Sequence, residues 1–95
     1  MNKEKWIEWS GRIREELWNH IKMKEGFYDV IPEAIIVGGI YRHALMEDIR
    51  SIQYTTEGGK LWRGIPLVEA SRENKVEIAW RMEKVKLTPP PKKVE

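Results

Sequence analysis

Apolar side chains in the first quarter of the chain recur at steps of three and four residues. This spacing places them on one stripe of an α-helix, which we expect over residues 3–25. The stripe consists of Trp6, Trp9, Ile13, Leu17 and Ile21. Gly26 follows a basic turn and is typical of a helix C-terminus. The chain is therefore predicted to open with a long amphipathic helix that ends at Gly26.

A short β-branched run and a second helical pattern follow. Residues 34–37, Ala-Ile-Ile-Val, are apolar throughout and predict a buried strand. Gly38 and Gly39 interrupt the run, and we interpret them as a tight turn that requires a positive φ. The next apolar residues return to helical spacing and predict a second helix through about residue 53. They are Tyr41, Ala44, Leu45, Ile49 and Ile52.

The last third of the chain has the pattern of extended strands. Residues 61–69 are apolar on both sides, and residues 75–82 alternate between apolar and polar as a half-buried strand does. The five residues between them predict a C-terminal β-hairpin. Pro66 cannot donate to a ladder, so either a sheet edge or a bulge near residues 64–66 is required, and both stay open. The expected fold is α+β, in the order α-β-α-β-β, with about three strands packed against two helices.

Length and composition indicate one domain. The chain has 95 residues, of which 41% are hydrophobic and 34% charged, which is typical of a globular protein with a single core. We expect a globular domain over residues 1–87 and an extended Pro/Lys tail over residues 88–95. The apolar runs are far shorter than the roughly 20 residues of a membrane span, and the N-terminus lacks the apolar core of a secretory signal. These features predict a cytoplasmic protein that does not bind a membrane.

Catalytic and metal-binding signatures are weak. The chain contains no cysteine, which excludes disulfides, thiolate nucleophiles and cysteine-ligated zinc. His43 and Glu47 have the four-residue spacing of half a metal site, and a site shared with His20 requires the two helices to pack antiparallel. The glycine pair lacks the other residues of a phosphate loop. We therefore predict a non-enzymatic protein without a metal or cofactor.

The tryptophan content is high for a chain of this length. Each indole can bury roughly 150–250 Å², and buried Trp is enriched in binding hot spots. The five are Trp6, Trp9, Trp18, Trp62 and Trp80. Two interpretations stay open, core packing alone or core packing together with a partner interface. The second predicts contact with a protein partner or with another copy of the chain as a homo-oligomer.

Basic side chains are concentrated toward the C-terminus, although the net charge is only +2. Together with Trp62 they suggest nucleic-acid contact, since such groups track phosphates and stack on bases. The candidates are Lys60, Arg63, Arg72, Lys75, Arg81, Lys84 and Lys86. Four glutamates are interleaved with them, which is typical of a solvated face of mixed charge. Nucleic-acid binding is therefore the second hypothesis.

About half of the chain resembles an element of small tailed-phage proteins. Residues 34–39, the helix through Tyr41 and Leu45, and residues 61–69 are similar to the strand, helix and "L-x-G-x-P-V" strand of HK97-like major capsid proteins. The likeness is carried by Leu61, Gly64, Pro66 and Val68. It implies a phage- or virus-type protein, which would be located in the host cell. The excess of aromatic surface without a catalytic signature predicts that this small protein acts through protein contacts and self-association. The alternatives are a nucleic-acid-binding regulatory module and a phage inhibitor of a host defence protein.

Overall fold

The computed structural model describes residues 2–82 and has an α+β fold, as predicted. The helices are α1 (Lys3–Tyr28) and α2 (Gly39–Met46), and a single 3₁₀ turn covers Ile49–Ser51. The strands are β1 (Val30–Gly38), β2 (Ile52–Tyr54), β3 (Lys60–Trp62), β4 (Ile65–Ser71) and β5 (Lys75–Met82). The opening helix is confirmed, and the predicted tail over residues 88–95 lies outside the described part of the chain.

The strands form one sheet in the order β2-β3-β4-β1-β5, with β1 in an inner position. β1 pairs parallel with β4 and antiparallel with β5, and the remaining neighbours are antiparallel. β4 and β5 therefore flank β1 and do not pair with each other. The predicted C-terminal hairpin is wrong, and the sheet has five strands where about three were expected.

The link from β4 to β5 crosses the end of β1 at Gly39. Its three residues, 72–74, are enough to pass two strand spacings of about 4.8 Å. Gly39 has a φ of 61°, which confirms the predicted positive-φ turn. A Cβ on Gly39 would lie 2.9 Å from the Asn74 Cα. Asn74 Oδ1 also accepts a hydrogen bond of 2.9 Å from the Ile40 backbone N–H, which satisfies a free amide in the first turn of α2.

Residues 61–69 form two strands rather than one because Arg63 and Gly64 make a tight turn. Both have positive φ, 50° and 84°, as in a type I′ hairpin turn. Leu61 pairs with Pro66 across this hairpin. Pairing of β4 with β1 begins at Leu67, so the missing N–H of Pro66 leaves no gap in that ladder.

Both helices end at residues other than those predicted. α1 continues for two residues beyond Gly26, and Asp29 then adopts the left-handed conformation of a C-terminal cap, with a φ of 52°. α2 ends at Met46, and Asp48, with a ψ of 68°, departs from helical geometry before the 3₁₀ turn. As a consequence Ile49, expected on the buried stripe, is 80% exposed.

The hydrophobic core lies between the sheet and its two helices, on what we call the helix face. Ile21 of α1, Leu45 of α2 and Trp62 of β3 meet there and are at most 1% exposed. Leu17 and Ile21 of the predicted α1 stripe pack in this core, whereas Trp9 packs against Tyr41 of α2. Alternate strand residues point to the opposite side of the sheet, the outer face. Within residues 2–82, no helix combines the length and apolar character needed to cross a membrane.

Candidate functional site

The tryptophans near the start of α1 pack against α2. Trp6 and Trp9 have ring centroids 5.4 Å apart, and the Trp9 ring lies 5.6 Å from that of Tyr41. Trp6 Nε1 donates a hydrogen bond of 2.6 Å to Glu47 Oε1. Both indoles remain half-buried. Their contacts join the two helices and leave part of each ring accessible.

A second aromatic group centres on Trp62. This residue is fully buried, so it belongs to the core, and its ring meets that of Trp18 edge to face at 5.9 Å. Trp62 Nε1 donates to Asp48 Oδ2 at 3.0 Å. The Arg63 guanidinium lies 4.9 Å from the Trp18 ring and 4.8 Å from the Trp62 ring, within cation–π range. The group fixes the β3–β4 turn against α1.

Asp48 also links the end of α2 to α1. Its Oδ2 lies 3.8 Å from Arg14 Nε and 3.9 Å from Arg63 Nη2. Arg14 Nη1 donates at 2.7 Å to the carbonyl oxygen of Ala44, where a cation complements the negative end of the helix. This carboxylate therefore has a structural role between two guanidinium groups.

Trp80 lies beneath the C-terminal half of α1. Its ring centroid is 6.4 Å from that of His20, and Lys24 Nζ is 5.1 Å from it. Met23 and Phe27 occupy the same flank of α1 and are 55% and 75% exposed. With His20, Lys24 and Tyr28 they line a groove of about 630 Å³. Exposed apolar surface thus lies beside β5, the outermost strand on that side of the sheet.

The outer face of the sheet is apolar across its middle strands. Ile36 of β1 pairs with Val68 of β4, and Leu61 of β3 pairs with Pro66. The neighbouring Ile35 is buried in the core, so Ile36 points away from both helices. Val68 is 44% exposed. Contiguous apolar positions of this kind are typical of interaction surfaces.

Lys60 belongs to an ion-pair cluster that spans α2, β3 and β4. Glu69 Oε2 lies 3.0 Å from Arg42 Nε and 3.7 Å from Lys60 Nζ. Arg42 Nε is buried and meets no acceptor with hydrogen-bond geometry, so its contact with Glu69 is an ion pair. The Arg42 guanidinium is the main cause that lowers the pKa of Glu69 below its ordinary value, burial opposes this, and Lys60 adds to the lowering.

The other candidate nucleic-acid contacts are dispersed. Arg63 is held at the β3–β4 turn by its aromatic and carboxylate neighbours. Lys75 Nζ lies 3.7 Å from Glu77 Oε1 on β5. Arg72, in the β4–β5 link, and Arg81, near the end of β5, are exposed. The structure does not bring these side chains into one patch, and Lys84 and Lys86 lie outside the described residues.

Two of the side chains considered as metal ligands, His20 and Glu47, contact different residues. His20 packs on Trp80, whereas Glu47, four residues after His43, accepts the hydrogen bond from Trp6. In the part of the chain that the structure describes, no three His, Asp or Glu side chains form a group able to hold a metal ion.

Sequence analysis did not identify the exposed flank formed by Met23 and Phe27. A helix that ends at Gly26 would place Phe27 in a connection. Once the helix continues through Gly26, His20, Met23 and Phe27 have the three-, four- and seven-residue spacings of one helical flank. This spacing is the feature of the sequence from which the flank could have been identified.

Comparison of the chain with protein-family models, with curated proteins and with solved structures finds no significant match. Functional inference therefore depends on the surfaces described above.

Proposed function

We propose that this chain is a small non-enzymatic protein of phage or virus type that acts through protein–protein contacts and associates with itself. The observation that carries the proposal is the exposed apolar surface on the β5 side of the molecule. There Met23, Phe27 and Met82 are each more than half exposed. Transfer of such side chains out of water is the dominant favourable term in protein association.

Two further features support contact with a protein. The outer face presents Ile36 and Val68 at its centre, so a second apolar surface lies on the side of the sheet opposite the helices. Among the candidate nucleic-acid contacts in the described part of the chain, Lys60, Arg63 and Lys75 lie within ion-pair distance of carboxylates. This pairing reduces the free charge that they offer to a polyanion. The phage or virus type is supported by the sequence resemblance of residues 34–39 and 61–69 to capsid proteins.

Sedimentation velocity and light scattering test the self-association. The full chain has a mass of 11.3 kDa, and we expect the weight-average mass to rise toward twice that value between low and high micromolar concentration. A mass that stays monomeric throughout this range would refute self-association.

A parallel measurement distinguishes the nucleic-acid hypothesis. Double-stranded DNA and single-stranded RNA oligonucleotides are titrated with the protein at low and at physiological salt. Self-association without salt-sensitive retention supports the proposal. Tight binding that falls steeply with salt would instead favour the basic side chains as the functional surface.

A further inference from the structure

We propose that the second copy docks on β5, strand edge to strand edge, in an antiparallel register centred on Ala79. The two sheets would then join into one continuous sheet. This inference rests on the proposed self-association and assigns it a surface and a register.

The two edges of the sheet differ in their capacity to pair. β2, at one edge, has three residues, whereas β5, at the other, has eight and contains no proline. An edge strand presents unpaired N–H and C=O groups that template another strand. Proteins usually protect such an edge by shortening the strand or by proline, bulges or charged side chains. β5 is long and contains no proline, and the irregularity in its pairing with β1 lies at residues 32–34 of β1. Among the residues that the structure describes, charged side chains are its only protection, so β5 is the edge suited to a partner strand whose charges complement its own.

Symmetry limits the registers that two copies of β5 can adopt. An antiparallel pair related by a two-fold axis normal to the sheet keeps the helices of both copies on one side. Directly opposed residues share a face of the sheet, and residues on one face are an even number of positions apart. The residue at the centre of each strand therefore lies directly opposite its own copy, across the axis. Each register is therefore defined by the residue at its centre.

The charges on the outer face of β5 discriminate between these registers. Lys75, Glu77, Ala79 and Arg81 lie on that face. A register centred on Glu77 opposes two carboxylates, and one centred on Ile78 places Lys75 opposite Arg81. The register centred on Ala79 places Glu77 opposite Arg81 twice and uses residues 76–82 of each strand. Among the registers that pair most of β5, it is the one in which opposite charges face each other.

The helix face is complementary in the same register. Ile78 lies opposite Trp80, and Val76 lies opposite Met82, so every cross-strand pair on that face is apolar. Met82 is 57% exposed in the single chain and would be covered by the partner strand. Arg81 has no ion-pair partner among the described residues. Glu77 Oε1 lies 3.7 Å from Lys75 Nζ on its own strand, and the Glu77 side chain is still 60% exposed. These side chains are available for the contact.

Charge exchange tests both the surface and the register. Glu77→Arg places two cations opposite each other at both symmetric positions, and Arg81→Glu does the same with two carboxylates. Each single variant is expected to raise the dimer Kd about tenfold, because a favourable cross-strand pair becomes an unfavourable one at two places. An equimolar mixture of the two variants should form a heterodimer with an affinity near that of the unmodified protein, since opposite charges meet again.

Glu57→Arg is the matched control, because it makes the same charge change at an exposed residue of the β2–β3 turn. It should leave the dimer Kd unchanged. Thermal unfolding of every variant, measured at a concentration where the chain is monomeric, checks that the fold is retained.

Sedimentation velocity of the variants and of their mixture separates the outcomes. A dimer Kd that rises about tenfold in each single variant and recovers in the mixture supports the register. If the unmodified chain and both variants dimerise equally, self-association stands and the β5 surface is overturned. If the unmodified chain binds a foreign protein strand but never another copy of itself, both proposals fail.

Discussion

Replacement of Gly39 by alanine tests the crossing of the β4–β5 link over the end of β1. The φ of Gly39 is 61°, a conformation that disfavours side chains. An added Cβ would lie 2.0 Å from Asn74 Oδ1 and 2.9 Å from the Asn74 Cα. The side-chain oxygen can rotate away only by giving up its hydrogen bond to the Ile40 amide, and the approach to the Asn74 backbone is relieved only if the link itself moves.

The magnitude follows from these close approaches. The left-handed conformation costs an L-residue about 1–2 kcal/mol, overpacking about 1–3 kcal/mol, and loss of the hydrogen bond about 1 kcal/mol. The sum, about 3–6 kcal/mol, is a large part of the roughly 5–15 kcal/mol that stabilises a small domain. A domain of this size loses at least about 4 °C in Tm per kcal/mol, so Gly39→Ala should lower the Tm by about 12 °C or more.

Urea and thermal unfolding measure the effect, and Gly58→Ala is the matched control. Gly58 also has a positive φ, 91°, but an added Cβ would meet no atom within 4 Å. Its φ lies farther from the left-handed minimum near 57°, so its conformational term is at least as large as that of Gly39. If Gly39→Ala destabilises the protein no more than Gly58→Ala does, crowding against Asn74 contributes nothing and the reasoning is refuted.

Three other variants address local interactions. Gly26→Ala should raise the free energy of unfolding by about 0.5–1 kcal/mol, because Gly26 is helical and an added Cβ has open space. The urea midpoint should rise accordingly, and a lower midpoint would contradict the continuation of α1. Asp48→Ala should lose about 1–3 kcal/mol in chemical unfolding, since Trp62 Nε1 loses its acceptor, whereas Asp48→Asn keeps an oxygen and should lose less; equal losses would contradict a role for this hydrogen bond. Arg42 lowers the pKa of Glu69 from its ordinary 4.5, so the Glu69 carboxylate binds a proton less readily in the folded state than in the unfolded state. The ion pair therefore stabilises the fold above pH 4.5, and this stabilisation disappears as the pH falls through the folded-state pKa. Urea unfolding of Glu69→Gln between pH 3 and pH 7 should therefore show a deficit relative to the unmodified protein at neutral pH that vanishes in acid, and a pH-independent deficit would contradict the ion pair.

Local periodicity was sufficient to predict the elements that bury one stripe. The three- and four-residue spacing from Trp6 to Ile21 correctly predicted α1 and the side that it buries. The positive φ at Gly39 was also predicted, because a glycine pair between a strand and a helix has few other uses. These features depend on neighbours within a few residues, so the sequence contains the needed information.

Strand order depends on pairing between distant residues and was not predictable in the same way. Residues 72–74 are short enough for a hairpin and also long enough to step over one strand, so the loop length alone does not decide. The available signal was in β1, where Ile35 and Ile36 are apolar on opposite faces. A strand that is apolar on both faces is typical of an inner position with a parallel neighbour, as β1 has in β4.

The same difficulty applies to the candidate surface. Trp62 suggested a partner interface from residue type alone, but its position opposite Ile65, beneath α1, buries it completely. Met23 and Phe27 were not predicted as surface residues because their exposure depends on which flank of α1 meets the sheet. Their spacing places them on one flank of α1, but exposure is a property of the assembled layers, so the spacing alone does not determine whether that flank meets the sheet.

The crossing over Gly39 also decides which strand has the free edge. If β4 and β5 had paired as a hairpin while β5 kept its pairing with β1, β5 would have been an inner strand with a neighbour on each side. Because the link passes over β1 instead, the inner strand is the one that is apolar on both faces, and the outer strand is the one that carries Glu77 and Arg81. Alternating charges keep such an edge soluble in the single chain and make it self-complementary in one register. Gly39→Ala should therefore weaken both folding and self-association, whereas Glu77→Arg should weaken self-association alone.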